Sequence, residues 1–331
     1  MTRLPDPERS RAVLVGTSRF DHLPDLPAVR NNLSDLARIL TAPTGTGLRH
    51  CAVVSDEDDL AVVGAKLEDA AEQAEDVLLV YYSGHGLLDE RGELHLTVPS
   101  SDPRRLRWTG LPFTRVKEVL ADARGRNRVL VLDCCFSGRA IEEFMSDEGT
   151  VVSGQLDIDG TYTLTATPRN RPAMAPVGAT HTTFSGELIT LLDKGVPDGP
   201  ELLTLGEVYR RLLWTFTSRN LPRPQQRGTR TADLLALVPN RALGPASPAS
   251  PADPAEQARR HAELAADRAR VLGPDHPETL AAREAHAKWV GLAGDPAEAA
   301  RLHAALLADR TRIGRFPRRV GRSRPDGTGS G

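Results

Sequence analysis

A histidine and two adjacent cysteines each come shortly after a run of apolar residues. His85 follows the run at 77–82, and Cys134 and Cys135 follow the run at 129–132. A thiol attacks a carbonyl carbon as its thiolate, and a histidine close by can remove the thiol proton at neutral pH. These residue types therefore predict covalent catalysis by a cysteine nucleophile with a histidine as its base.

Short apolar runs recur along the first 240 residues, with helix-like stretches between them. Because their apolar residues are consecutive rather than alternating, the runs are typical of strands buried on both faces of a mostly parallel sheet. Such a sheet with helices on both faces is an α/β three-layer sandwich, and its strands end at one edge, where ligands bind. We expect His85 and Cys135 to meet at that edge. The six predicted strands are 12–15, 51–54, 77–82, 129–132, 162–166 and 234–238.

The covering helices are predicted by leucines and other apolar residues at helical spacing. Gly195 follows the third of these patterns, where a C-terminal glycine belongs. Thr204 and Glu207 form a capping box ahead of a further helix. The segment 87–98 is predicted to form a hairpin at one end of the sheet. The three patterns are Leu33, Leu36 and Leu40; Phe113, Val116 and Leu120; and Leu188, Leu191 and Leu192.

The sequences around the histidine and the cysteines resemble the two catalytic motifs of caspase-like peptidases. YYSGHG at 81–86 resembles the histidine motif, and DCCFSG at 133–138 is closer to the cysteine motif of metacaspases than to that of animal caspases. In caspases the two residues lie about 50 positions apart, as His85 and Cys135 do here. Weaker agreement in AVLVGTSRF, LPAVRNNLSDLARIL and TLTATP extends the resemblance over 10–240. It implies a caspase-like sandwich with a six-stranded sheet that hydrolyses peptide bonds through a thioester.

The resemblance also implies roles for individual residues. The nucleophile is Cys135 rather than the cysteine before it, and His85 is the general acid and base. The backbone amides of Gly86 and Cys135 would form the oxyanion hole. Asp133 matches an acid that lines the primary specificity pocket of metacaspases, which implies a preference for Arg or Lys before the scissile bond. Asn32 stands where metacaspases have a second aspartate, near the first helix.

Composition and charge exclude several other classes of protein. Lys and Arg number 42 and Asp and Glu number 44, so a net charge of −2 gives no field for a nucleic acid or a membrane surface. The N-terminus has no apolar run of membrane-spanning or signal-peptide length, which predicts a cytoplasmic protein. Three cysteines are too few and odd in number for a disulfide scaffold. No cofactor is predicted, because neither the cysteines nor the histidines have metal-ligand spacing; the resemblance allows calcium activation, but no acidic loop has recognisable ligand spacing.

The C-terminal quarter of the chain has a different composition. A Pro/Ala-rich linker is predicted at 241–254, and three helical stretches follow at 255–314. The stretches that begin at His261 and His303 match at an offset of 42 residues. The segment resembles tetratricopeptide repeats of the kinesin-light-chain type through the phrase LGPDHPETL. The resemblance implies a surface that binds a protein partner. A basic tail at 315–331 is predicted to be disordered rather than to bind nucleic acid.

Two functions from different classes remain open from the sequence. The first is a cysteine endopeptidase acting on proteins or peptides. The second is a caspase-like scaffold without activity, in which the helical segment mediates assembly. An activated thiol distinguishes them, because a scaffold should react with an electrophilic peptide ketone no faster than a free cysteine does.

Overall fold

The computed structural model describes most of the chain. The described residues are 2–134, 136–137, 156, 158, 160–166, 178–197, 199–228, 234–243 and 254–315. They divide into two compact units, Met1–Ala246 and Ser247–Gly331. Cys135, the core of the predicted linker and the predicted basic tail from 316 onward lie outside the described residues.

Strands and helices alternate along the first unit. The strands are β1 Arg11–Gly16, β2 Cys51–Ser55, β3 Val77–Ser83, β4 Gly86–Leu88, β5 Leu94–Leu96, β6 Leu111–Pro112, β7 Asn127–Asp133, β8 Phe136–Ser137, β9 Thr161–Thr165, β10 Leu202–Thr204, β11 Gln225–Arg227 and β12 Ala236–Pro239. The helices are α1 Ala28–Thr41, α2 Leu60–Gln73, α3 Leu106–Thr109, α4 Phe113–Asp122, α5 Thr183–Lys194 and α6 Leu205–Ser218. A 3-10 turn at Arg241–Leu243 follows β12, so regular structure continues into the first residues of the predicted linker.

A six-stranded sheet forms the centre of this unit, in the order β11-β9-β7-β3-β1-β2. The pairs from β9 to β2 are all parallel, and only the edge pair of β9 with β11 is antiparallel. The predicted mostly parallel sheet is therefore confirmed. Its central strand β3 is buried along its whole length, as the consecutive apolar residues predict.

The sixth strand of this sheet was predicted wrongly. The run at 234–238 belongs to β12, which pairs with β10 in a separate two-stranded sheet. The sixth position is taken by Gln225–Arg227, which pairs with β9. This edge segment has the polar sequence QQR. Polar side chains on an edge strand discourage pairing with another chain, and they leave no apolar run that a sequence pattern could detect.

Helices cover both faces of the sheet, which confirms the sandwich. Alternate residues of β3 face opposite ways: Tyr81 packs with α1, α5 and α6, whereas Tyr82 packs with α2 and α4. The predicted apolar sets at helical spacing supply these contacts, with Leu33 of α1 and Leu120 of α4 among the most buried side chains. Burial of a leucine of this kind contributes about 2 kcal/mol, so the two layers fix the orientation of the sheet between them.

The predicted hairpin at 87–98 is present as β4 and β5. It belongs to a four-stranded sheet in the order β6-β5-β4-β8. In this sheet β4 pairs in parallel with β8, the short strand that follows the cysteine pair. The hairpin therefore connects the chain after the histidine with the chain after the cysteines.

Three helices make up the described part of the second unit. They are α7 Pro254–Leu272, α8 Pro277–Leu292 and α9 Pro296–Arg315. Helix α8 packs against both of its neighbours, and the His261 and Trp289 rings stack between α7 and α8 with centroids 6.3 Å apart. In the described part of the chain no helix is long and apolar enough to cross a bilayer.

The chain at the C-terminal end of α5 is hydrogen-bonded to Asn240, which directly follows β12. Gly195 follows the helix with a φ of 77°, as its position in the pattern predicts. Beside it the Asn240 side chain accepts a hydrogen bond from the Val196 amide at 2.8 Å and donates one to the Val196 carbonyl at 2.8 Å. A Cβ on residue 195 would lie 2.3 Å from the Asn240 Oδ1 atom. Only glycine fits both the backbone conformation and this contact.

We therefore expect Gly195→Ala to lower the free energy of unfolding more than Gly47→Ala. Gly47 has a φ of 78° and nothing within 4 Å of a built Cβ, so its substitution costs only the left-handed conformation, about 1 kcal/mol. Gly195→Ala should cost about 2 kcal/mol more because Asn240 must also move. Urea unfolding followed by circular dichroism measures both variants. Equal losses would show that the contact with Asn240 is not tight.

Candidate active site

Two paired strand ends bring the histidine segment beside the cysteine segment. Strand β3 pairs with β7 up to Ser83 and Asp133, and β4 then pairs with β8 from Gly86 and Phe136. In both ladders the partner lies 50 positions later. The same interval separates His85, in the turn between β3 and β4, from position 135.

The imidazole of His85 is held by a backbone carbonyl. Its Nε2 atom lies 2.9 Å from the carbonyl oxygen of Pro24. Because a carbonyl oxygen only accepts, Nε2 carries the proton in the neutral ring and Nδ1 carries the lone pair. The Phe20 ring packs against the imidazole with centroids 4.8 Å apart. The loop between β1 and α1 thus sets both the tautomer and the orientation of His85.

The surroundings of His85 favour its neutral form. Burial lowers the pKa of His85 below the ordinary 6.5, and the hydrogen bond to the Pro24 carbonyl opposes that shift. The ring therefore holds an unprotonated nitrogen at neutral pH. That is the state a general base needs.

The backbone of His85 is fixed by a tyrosine from the strand before it. The Tyr82 hydroxyl donates to the His85 carbonyl at 2.8 Å and accepts from the Thr97 amide at 2.8 Å. Gly84 makes this possible, because a Cβ there would lie 2.5 Å from the Tyr82 hydroxyl oxygen. The glycine before the histidine is thus required by packing.

The first cysteine of the pair lies in the core. Cys134 is fully buried among the residues under α2 and α4, on the same face as Leu130 and Leu132. Cys51 is half-buried in β2, and burial raises its pKa to about 11. Cys135 lies outside the described residues, so its predicted role stays a prediction.

Asp133 is buried at the end of β7 and is surrounded by neutral donors. Its Oδ2 atom accepts hydrogen bonds from the hydroxyls of Thr182 and Ser185 and, at 3.4 Å, from that of Ser83. The Ser185 amide, in the first turn of α5, also donates to Asp133, which is the bond an N-cap side chain makes. Burial raises the pKa of Asp133, and these hydrogen bonds oppose the shift. The carboxylate thus joins the cysteine strand to the start of α5.

Asn32 belongs to the same cluster, although it lies on α1, far from Asp133 in the sequence. Its Nδ2 atom lies 3.5 Å from Asp133 Oδ2 and donates to the Thr182 hydroxyl at 2.8 Å. The structure therefore brings the two predicted specificity residues together. Thr182 and Ser185 were missed by the sequence analysis, and the hydroxyl-rich stretch THTTFS at 180–185, which spans the start of α5, was the only signal for them.

Comparison with known proteins identifies the family. The model of the Caspase domain family matches residues 9–235. The chain belongs to this family. Caspase-1 from Spodoptera frugiperda is a similar solved structure, with a TM-score of 0.48 and 14% sequence identity over 73% of this chain and 94% of that chain. No curated protein matches the chain.

Membership of the family agrees with the resemblance drawn from the two motifs. The caspase domain has the mixed, mostly parallel sheet and the helical layers described above, and its family is one of cysteine peptidases that includes inactive members. Within its described residues no three His, Cys, Asp or Glu side chains are grouped as metal ligands.

The cluster around Asp133 can be tested through Ser185, whose hydroxyl lies 2.6 Å from that of Tyr81. Ser185→Ala leaves the buried Tyr81 hydroxyl without this partner and removes one donor from Asp133. We expect a loss of about 2 kcal/mol in the free energy of unfolding, measured by urea titration. Ser218→Ala, which removes a hydroxyl from an exposed hydrogen bond, is the control and should change it by less than about 0.5 kcal/mol.

A double-mutant cycle separates the hydrogen bond from simple loss of packing. Tyr81→Phe combined with Ser185→Ala should destabilise the caspase domain by less than the sum of the single changes. Strictly additive losses would contradict a direct Tyr81 to Ser185 hydrogen bond.

Proposed function

We propose that this caspase domain is a cysteine endopeptidase in which Cys135 is the nucleophile and His85 is the general acid and base. The observation that carries the proposal is the shared interval of 50 residues in the two ladders on either side of the histidine. Because both ladders pair residues 50 positions apart, we expect the chain that carries position 135 to come opposite the turn that carries His85. A histidine with a lone pair on Nδ1 and a thiol placed in this way would form a catalytic dyad.

The reaction follows from these two groups. The Cys135 thiol gives its proton to Nδ1 of His85, and the sulfur attacks the carbonyl carbon of the scissile peptide bond. The carbon–nitrogen bond then breaks, and the proton passes from His85 to the leaving amine. Water, deprotonated by His85, hydrolyses the thioester and restores the thiol. Each proton transfer uses the same nitrogen, because Nε2 is committed to Pro24.

The oxyanion hole is proposed at the backbone amides of Gly86 and Cys135. Gly86 begins β4 immediately after the histidine, and its pairing with Phe136 keeps this segment beside the chain that follows the nucleophile. The backbone of Gly86 is held by this pairing, and a donor that is already held in place does not reorganise when negative charge develops on the carbonyl oxygen. The rigidity of this segment supports the assignment of Gly86.

The surroundings of the other two cysteines favour Cys135 as the nucleophile. Cys134 is fully buried in the core, and the raised pKa of Cys51 leaves very little thiolate at neutral pH. Neither is suited to attack a protein substrate.

We expect Cys135→Ala and His85→Ala to lower kcat/KM for peptide hydrolysis by about three orders of magnitude or more. Cys134→Ala is the matched control, since it removes the neighbouring thiol and should leave kcat/KM within about threefold. Fluorogenic peptides measure the activity, and labelling by an electrophilic peptide ketone measures the thiol. Loss of activity in folded Cys134→Ala alone would contradict the assignment. A wild-type protein that labels no faster than free cysteine would favour the scaffold function.

The specificity that we propose is for Arg or Lys before the scissile bond. Among the described residues the side chains that contact Asp133 are a threonine, two serines and an asparagine. No protein cation in that set neutralises the carboxylate, so a basic substrate side chain could do so. Asn32 would supply a neutral polar group beside it, where a second acid would give a stronger preference.

Peptides that differ only in the residue before the scissile bond test this preference. The wild-type domain should cleave the Arg and Lys peptides faster than the Ala and Asp peptides. Asp133→Asn should lower kcat/KM for the Arg peptide by about tenfold to a hundredfold, because a hydrogen bond to a charged group contributes about 1.5 to 3 kcal/mol. Asp193→Asn, at a partly exposed acid paired with Arg38, is the control. Faster cleavage of the Asp peptide would overturn the basic preference.

The second unit is proposed to bind a protein partner. Leu292 and Leu307 are exposed on its described helices, and fewer than two repeats of a tetratricopeptide type leave apolar faces uncovered. The division that we propose is a peptidase domain at 1–240, a linker at 241–254, a recruiting helical segment at 255–314 and a basic tail at 315–331.

A further inference from the structure

We propose that Asp56 is a positioning residue for His85, which it serves by anchoring the loop 17–26 that holds the imidazole. This inference rests on the function proposed above, because it concerns the orientation of the proposed general base. Asp56 directly follows β2, at the end of the sheet where His85 follows β3. It acts on His85 through the loop.

The carboxylate of Asp56 accepts hydrogen bonds from the first residues of the loop. Its Oδ1 atom accepts from the Ser18 amide at 2.6 Å and from the Arg19 amide at 3.2 Å. Its Oδ2 atom accepts from the Ser18 hydroxyl at 2.8 Å. The Asp56 amide in turn donates to the Gly16 carbonyl at 2.9 Å. Asp56 therefore holds the chain at the point where it leaves β1.

A cation from α1 completes the anchor. The Arg30 guanidinium donates to Asp56 Oδ2 from Nη2 at 2.9 Å and from Nε at 3.2 Å. Burial alone would raise the pKa of Asp56, but the hydrogen bonds from Ser18, Arg30 and Arg19 outweigh it and lower the pKa. The anchor is thus a charged carboxylate that joins the loop to the helix after it.

The backbone of Asp56 is itself unusual. Its φ is 52°, in the left-handed region that few residues other than glycine occupy. Asp and Asn enter this region more readily than other side chains. A costly backbone conformation persists where surrounding contacts hold it, and here the hydrogen bonds from Ser18, Arg19 and Arg30 do so.

The anchored loop is the one that contacts the histidine. The Ser18 carbonyl also accepts a hydrogen bond from the Leu26 amide at 2.8 Å, so the two ends of the loop meet there. Between these two residues lie Phe20, which packs on the imidazole, and Pro24, whose carbonyl accepts from Nε2. Both groups that orient His85 therefore lie in the loop whose two ends meet at Ser18, and Asp56 holds Ser18; the Asp21 amide adds a second attachment by donating to the Pro99 carbonyl at 3.0 Å.

Asp56→Gly is the variant that isolates the carboxylate, because glycine accepts a φ of 52° without strain. Asp56→Asn is the conservative rescue, since asparagine tolerates the same backbone and keeps an oxygen that accepts from Ser18 and Arg19. Asp59→Ala is the matched control: Asp59 caps α2 by accepting from the Ala61 amide at 2.8 Å and is an acid of the same stretch outside the anchor.

We expect Asp56→Gly to lower kcat by about tenfold to a hundredfold, as misplacement of a catalytic group does, with KM within about twofold. Asp56→Asn should recover most of the loss, and Asp59→Ala should keep the wild-type kcat. Long-range proton–nitrogen NMR of the histidine ring supplies a second readout. The His85 signals, assigned by comparison with His85→Gln, should show the Nε2-protonated tautomer in the wild type and a mixture of tautomers in Asp56→Gly.

The two readouts separate this inference from the proposed function. Unchanged kcat and an unchanged His85 tautomer in folded Asp56→Gly would overturn the role of Asp56. If the wild type proves inactive while the tautomer still changes in Asp56→Gly, the positioning role holds and the proposed peptidase function fails. Should Asp56→Gly not fold, Ser18→Ala removes one of the same hydrogen bonds and should shift the tautomer in the same direction by a smaller amount; no shift there would also contradict the proposal.

Discussion

The geometry of the candidate site depends on the parallel pairing of β3 with β7. Burial of the side chains fixes the register of the two strands, because a shift of one residue would turn every side chain to the opposite face. Here a slip would exchange the faces of Tyr81 and Tyr82, which pack in different clusters and bond to Ser185 and Thr97, so the specific packing on each face holds the register. The ladder resumes after the turn with the same interval. Packing on the two faces of the sheet therefore decides which residues face each other where its strands end.

A second constraint acts on the histidine itself. An imidazole at the end of a strand can rotate, and either nitrogen can carry the proton. In this domain the loop after β1 removes both freedoms through Phe20 and the Pro24 carbonyl, and Tyr82 fixes the backbone from the other side. Preorganisation of this kind lowers the cost of reaching the reactive geometry. It also explains why residues from both the loop after β1 and β3 itself are needed to hold one imidazole.

The side chain of Asp133 illustrates the cost of burying an acid beside the candidate site. Removing an acid from water raises its pKa, and only hydrogen bonds offset that cost. The hydroxyls of Thr182 and Ser185 and the backbone amide of Ser185 donate these hydrogen bonds. The same bonds join β7 to α5 and, through Asn32, to α1. The cluster thus both supports the proposed pocket and holds together the elements that enclose it.

The sequence alone determined the sandwich, five of the six strands of the main sheet, the hairpin after the histidine and the two motifs at the sheet edge. These features are local: they depend on apolar period, on glycine positions and on short motifs, which a single segment carries. Only the tertiary structure decided that Gln225–Arg227 takes the sixth place in the sheet, that Pro24 sets the tautomer of His85, and that Ser185 and Asp56 serve the site from other segments. Their partners lie tens to more than a hundred positions away, and hydroxyls, carbonyls and single carboxylates carry no periodic signal. Such contacts exist only once the core has fixed the register of the strands, so they follow from the folded chain and not from any segment of it.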